Sequence, residues 1–136
     1  MGLFSSDTPK DTHKAAPIPE RLRKQEKVII ITGNKAEDTE FFYPYYRLVE
    51  EGYTVDVVTE DGKDFECKHG LGLKDTKSIE HVRPEDYALL YIPGGKAPAE
   101  LRKNEKVIEF VKAFAKSNKP IAAICHGAQV LNPNYA

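Results

Sequence analysis

The chain has 136 residues, 20 Lys plus Arg against 21 Asp plus Glu, and 40% apolar residues, which suits one compact domain. With a formal net charge of -1, no field of one sign is available to hold nucleic acid or an anionic membrane surface, so neither is expected as a partner. The apolar stretches at residues 28–31 and 88–92 fall far short of the ~20 residues that span a bilayer. A soluble protein is expected. Cys67 and Cys125 are the two cysteines; they cannot build a disulfide framework, and the first residues lack a secretory apolar core, which points to a reducing, cytoplasmic setting.

Residues 1–27 contain Pro9, Pro17 and Pro19 and carry four acidic and six basic side chains. They read as a disordered N-terminal tail ahead of a domain at 28–136. Met1-Gly2-Leu3-Phe4-Ser5-Ser6 fits the short pattern of a myristoylated Gly2, which also arises by chance. The basic cluster Arg21, Arg23, Lys24 and Lys27 reads as a solvated lead-in to the first strand.

From residue 28 the hydrophobic period alternates between strand and helix. Val28, Ile29, Ile30 and Ile31 form a β-branched run typical of a strand buried on both faces. Phe41, Tyr45, Leu48 and Val49 then fall on one helical face, with Pro44 limiting the first turns and Gly52 ending the helix. Residues 53–58 predict a second strand, and the Gly-, Asp- and Lys-rich residues 60–76 predict a small hairpin or loop excursion. Residues 88–92 give a third strand, ended by Pro93-Gly94-Gly95. Val107, Phe110, Val111 and Phe114 mark a helix with Asn104 as N-cap and Asn118 near its end, and residues 120–124 form a fourth strand. This is the pattern of a flavodoxin-like, doubly wound, mostly parallel α/β sheet, with expected strand order 2-1-3-4 and helices on both faces.

In such a sheet, ligands gather beyond the carboxyl ends of the strands where the order reverses. The segments after strands one, three and four, around residues 37, 95 and 125, should converge there. The run Ala123-Ile124-Cys125-His126-Gly127 has small residues two before and two after a cysteine at a strand-to-helix junction, the steric requirement of a nucleophile elbow. Helix-mouth N–H groups would favour its thiolate; the alternative is a buried Cys acting as apolar filler. His126 reads as a general base or an imidazolium beside the sulfur, or as a solvated histidine. Backbone N–H groups of Gly95 and His126 make a candidate oxyanion hole, although Pro-Gly-Gly also suits a plain turn. Glu37 could hydrogen-bond the thiol, or simply be an acid at a helix start, where the dipole favours it. There is no Gly-rich phosphate loop, and Cys67 with His69 supplies at most two metal ligands, so those two read as surface residues and no cofactor or metal is expected.

Taken in order, Ala36-Glu37-Asp38-Thr39-Glu40, Tyr43-Pro44, Arg47-Leu48, Glu50-Glu51-Gly52, Pro93-Gly94-Gly95-Lys96-Ala97-Pro98, Asn104-Glu105-Lys106 and Ile124-Cys125-His126-Gly127 resemble the DJ-1/PfpI superfamily. The nearest branch is the intracellular protease I-like, class I glutamine amidotransferase-like one. The resemblance implies Cys125 as nucleophile, His126 as its neighbour, Glu37 as the thiol-bonding acid, and a homo-oligomer with the site near a subunit interface. In the protease-like branch a further acid follows the Pro-Gly-Gly-x-Ala-Pro run; here Ala99 stands at that position and Glu100 one later. The implied activities are cofactor-free: peptide hydrolysis, conversion of 2-oxoaldehydes such as methylglyoxal to hydroxy acids, and removal of early glycation adducts. A redox-sensing or chaperone-like stress protein using the same Cys is the competing class. The family's domain continues past the elbow, whereas this chain reaches Pro133 and ends at Ala136. A C-terminally truncated domain, with an exposed edge at the fourth strand and a third reading as an inactive fragment, is therefore also expected.

Overall fold

The computed structural model describes Thr12–His13 and residues 26–132. Most of the expected N-terminal tail lies outside the described residues, as do the end of the chain from Pro133 and the Gly2 pattern. Within that tail, however, Thr12–His13 forms a short strand, β1, and Lys27 already belongs to the next strand. Those two stretches depart from the expected disorder, because each finds a neighbouring strand to pair with.

The elements follow as β2 (Lys27–Ile31), α1 (Asp38–Glu50), β3 (Thr54–Thr59), β4 (Phe65–Glu66), β5 (Gly72–Leu73), β6 (Lys77–Ser78), β7 (Leu89–Ile92), α2 (Ala97–Leu101), α3 (Glu105–Lys116) and β8 (Ile121–Ala123). Short 3-10 turns cover Ile79–His81, Pro84–Asp86 and Cys125–Val130. The main sheet has the order β6-β3-β2-β7-β8, with every pair parallel. Strands β3-β2-β7-β8 reproduce the expected order 2-1-3-4, with β8 at one edge, and the two-residue β6 adds the other edge beside β3. The predicted excursion at 60–76 contains the β4-β5 antiparallel pair, on which β1 adds a parallel strand.

The β-branched run explains the centre of the sheet. Ile29, Ile30 and Ile31 are fully buried, and Ile30 stands in register with Val57 on one side and Tyr91 on the other. Onto them α1 lays Phe41, Phe42 and Tyr45, and α3 adds Val107, Phe110, Val111 and Phe114. Helix ends fall where their chemistry directs: the Asn104 side chain accepts the Lys106 and Val107 N–H groups at 2.9 and 3.3 Å, a cap of about 1 kcal/mol. After α1, Gly52 takes φ +101° and Tyr53 N–H returns to Leu48 O at 3.2 Å, the left-handed helix stop. Among the described residues no helix is long and apolar enough to cross a membrane.

Candidate active site

Just past β8 the Ile124 N–H still reaches Ile92 O at 3.2 Å, and then the chain turns sharply at Cys125. Cys125 adopts φ +54° and is exposed to solvent. For a residue with a Cβ this left-handed backbone costs roughly 1–2 kcal/mol, so the surrounding packing has to hold it. Gly127 shows how tightly: a Cβ there would lie 2.2 Å from Ile92 O. The elbow inferred from the small flanking residues is therefore present. The segment that follows is a 3-10 turn, Cys125–Val130, rather than the expected α-helix; Gly127 and Val130 are its buried residues.

The three loops converge as expected. Ala36 and Gly95 form an antiparallel bridge, with Glu37 N–H on Gly94 O at 3.4 Å and Lys96 N–H on Lys35 O at 2.8 Å. Gly95 has φ +81°, and a Cβ on it would come within 2.4 Å of Glu37 N. At Gly94 a Cβ would lie 3.0 Å from the Cys125 Cβ and 2.5 Å from a Glu40 carboxylate oxygen. Pro-Gly-Gly is thus more than a turn after a strand: Gly95 lets the backbone of residues 35–37 approach, and Gly94 makes room for the Glu40 carboxylate and the Ile124–Cys125 turn.

The acids divide differently from the sequence expectation. Glu37 is the N-cap residue of α1, and its carboxylate faces the neighbouring loop, 3.4 Å from His69 Nε2 and 3.9 Å from Lys68 Nζ. The carboxylate at the elbow belongs to Glu40, which accepts the Gly94 N–H at 3.0 Å. Both the Glu40 oxygen and the Cys125 Cβ thus lie within 3.0 Å of one point. Among the described residues the Cys125 thiol makes no hydrogen bond, to Glu37 or to any other group. The difference lies in the backbone: Glu37 is the N-cap residue in an extended conformation (φ -74°, ψ 122°), ahead of the helix, whereas Glu40 stands in the first turn of α1.

A second feature fixes Glu40. Pro44, four residues on, has no N–H, so the Glu40 carbonyl lacks its intrahelical donor. The Tyr91 hydroxyl, from β7, donates to that carbonyl instead. Burial, with Glu40 nearby, pushes the Tyr91 hydroxyl up to about 12, so it stays a donor at neutral pH. Proline inside the helix and tyrosine on the strand together were the sequence signal that could have drawn attention to Glu40.

Of Cys67 and His69, both expected at the surface, only Cys67 needs correction. His69 is exposed, but Cys67 is buried at 4% exposure, because the β4-β5 excursion folds onto α1, with Phe65 against Phe41 at 5.2 Å between ring centroids. Burial, reinforced by the acids Asp38, Glu37 and Glu66, pushes the Cys67 thiol up to about 12. The buried Asp38 accepts His69 N–H at 2.7 Å and Leu71 N–H at 3.2 Å, which clasps this loop to α1. Glu37, Asp38 and His69 bring one possible ligand atom each within 4.8 Å of one another. Both Asp38 oxygens are already engaged by backbone donors and Lys68 stands beside Glu37, so the donor set reads as a loop clasp rather than a metal centre.

Neither the Gly95 nor the His126 N–H has a hydrogen-bond acceptor among the described residues. Beside them lies an open cavity of ≈ 570 Å³, whose walls include Lys35, Lys96, Ala99, Glu100 and the exposed His126. Ala99 and Glu100 thus share one cavity with His126, and Glu100 reaches Lys103 at 3.5 Å.

This arrangement has clear relatives. A protein of Archaeoglobus fulgidus is 47% identical over 105 residues, 77% of this chain and 62% of that protein. "Deglycase PH1704" of Pyrococcus horikoshii is 40% identical over 105 residues, again 77% of this chain and 63% of the relative. The chain therefore spans less than two thirds of the length of these relatives. In a solved two-domain protein of Anabaena variabilis, with DJ-1/ThiJ/PfpI-like and ferritin-like domains, the match has a TM-score of 0.76 at 32% identity and covers 79% of this chain and 32% of that one. Residues 26–135 match the family described as DJ-1/PfpI, and with the flavodoxin-like sheet and the cysteine elbow at the end of β8, this chain belongs to the DJ-1/PfpI family.

Proposed function

We propose that this protein is a cofactor-free, cysteine-dependent enzyme of the deglycase or glyoxalase type, in which Cys125 attacks the carbonyl carbon of a 2-oxoaldehyde or an early glycation adduct. The observation that carries the reading is the exposed Cys125 at φ +54°, on a turn whose His126 N–H, like that of Gly95, has no acceptor among the described residues. With methylglyoxal, the sulfur adds to the aldehyde carbon and the carbonyl electron pair moves to oxygen. Gly95 and His126 N–H groups hold that charge until a proton neutralises it, giving a hemithioacetal. Loss of the C–H proton and its return at the neighbouring carbon yields a thioester of lactate, which water cleaves to lactate and free thiol. The net change is addition of one water.

His126 is the candidate proton carrier beside the sulfur. Glu40 takes the acid role in this reading, since its carboxylate and the cysteine flank the same glycine, while Glu37 with His69 braces the rim. Deglycase naming among the relatives favours small carbonyl substrates over peptides. Purified protein incubated with methylglyoxal should release lactate, the Cys125→Ser variant should release none, and Cys67→Ser should match the parent. Equal lactate from the parent and Cys125→Ser would overturn the reading; oxidation of Cys125 without any turnover would favour the redox-sensing alternative.

A further inference from the structure

We infer that the cavity beside the elbow selects carbonyl substrates that carry a carboxylate, using Lys35 and Lys96 as its cationic wall. This deepens the proposed function and rests on it. Three observations carry it. Lys35 and Lys96 line the same ≈ 570 Å³ cavity as Gly95 and His126, next to the turn that presents the sulfur. Neither lysine has a carboxylate partner among the described residues. By contrast, Lys68, Lys77, Lys103 and Lys106 stand beside Glu37, Asp56, Glu100 and Glu109.

The cavity's own acid does not cancel this charge, because Glu100 is answered by Lys103 at 3.5 Å. Glu37 is engaged by Lys68 and His69, and Glu40, which keeps its charge, is bonded to the Gly94 N–H and does not line the cavity. Two uncompensated positive charges therefore remain on the wall, with the amides of Asn34 and Gln129 as further hydrogen-bonding groups.

Their placement is fixed by the backbone. Lys35 holds φ +64°, a conformation that Asn or Gly adopts at lower cost. Its N–H is bonded to Glu66 O at 2.8 Å and its carbonyl accepts the Lys96 N–H at 2.8 Å, so the two lysines are anchored to one another across the bridge. A carboxylate elsewhere on the substrate, held at this wall, keeps the substrate's carbonyl in the cavity that Gly95 and His126 also line, whereas a neutral substrate gains nothing from it. Both side chains are exposed, so the attraction is modest and salt-screened.

The test compares alkylation of Cys125 by iodoacetate, a carboxylate, and by iodoacetamide, its neutral counterpart, in 20 mM buffer. The reference is a neutral thiol, N-acetylcysteinamide, under the same conditions. The iodoacetate-to-iodoacetamide rate ratio at Cys125 should exceed the reference ratio about 3- to 10-fold, in keeping with one or two screened charge contacts. In a Lys35→Asn/Lys96→Gln double variant the ratio, which cancels any change in thiolate fraction, should fall to within about twofold of the reference, and 0.5 M NaCl should do the same to the parent. Lys35→Asn is chosen because asparagine tolerates the backbone at that position, so the variant folds at least as well as the parent. A parent ratio equal to the reference, or an elevated ratio that survives the double substitution, overturns the inference and leaves the cysteine chemistry standing. Failure of Cys125 to react with either reagent overturns the proposed function itself, and this inference with it.

Discussion

The protein carries two thiols on two loops near one rim of the sheet, and the loops treat them in opposite ways. Cys67 sits in the β4-β5 excursion, buried under α1 and surrounded by carboxylates, so that its proton is held up to about 12. Cys125 stands exposed on a strained turn whose His126 N–H has no acceptor among the described residues. The same element becomes inert core material in one place and a candidate nucleophile in the other. The difference lies in backbone geometry and burial, since both residues neighbour acids of the same helix start. Burial protects a thiol by penalising its anion; an elbow exposes it by denying it any packed surroundings.

The comparison can be broken most forcefully at the elbow. Gly127→Ala places a Cβ against Ile92 O; we expect a loss of about 3 kcal/mol or more in denaturant unfolding, or no cooperative transition at all. On the Cys67 side, Asp38→Asn removes the charge from two backbone hydrogen bonds. That should cost about 2 kcal/mol and raise the labelling rate of Cys67 without altering that of Cys125.

The raised Cys67 value also predicts a pH effect. Between the ordinary thiol value near 8.5 and about 12 the folded state holds a proton that the unfolded state has lost. Stability contributed by this group is thus present below pH ~8.5 and declines as the pH rises above it. Allowing for partial solvent access, the decline should be about 1 kcal/mol between pH 8.5 and 10, and Cys67→Ala should flatten it.

A finer prediction concerns the position of Glu40. Tyr91→Phe leaves the Glu40 carbonyl without a donor, at a cost of about 1 kcal/mol, and turnover should fall with KM little changed. Adding Pro44→Ala restores an N–H to the helix and should recover part of both losses. The smallest effect is expected at Thr32, whose buried Oγ1 has no hydrogen-bond partner among the described residues. Thr32→Val should be neutral or stabilising by up to about 1 kcal/mol in thermal unfolding, since it removes an unsatisfied polar atom while keeping the shape.

Much of this architecture was legible before any coordinates. The run from Val28 to Ile31, the Asn104 cap, the Gly52 stop and the small residues around Cys125 each encode a local preference that the fold obeys, and together they fix the order of the inner strands. The short pairings were not legible: β1, β6 and the two strands of the excursion hold two residues each, too few for a period to register. The acid at the elbow was missed for a different reason. Glu37 and Glu40 are equivalent by composition, and where α1 begins decides between them: Glu37 is the extended N-cap, and Glu40 lies in the first turn with its carbonyl bonded by the Tyr91 hydroxyl. Cys67 looked like a surface residue because its neighbours Glu66, Lys68 and His69 are polar, while the packing of Phe65 on Phe41 that buries it joins residues 24 positions apart.

The most direct test of the contrast is competitive alkylation of both thiols by iodoacetamide at pH 7, followed by peptide mass analysis. Cys125 should be labelled faster than a free neutral thiol in the same buffer, with Cys67 reacting only after denaturant is added. Equal labelling of the two cysteines in the folded protein, or Cys67 reacting first, would contradict the assignment of Cys125 as the nucleophile.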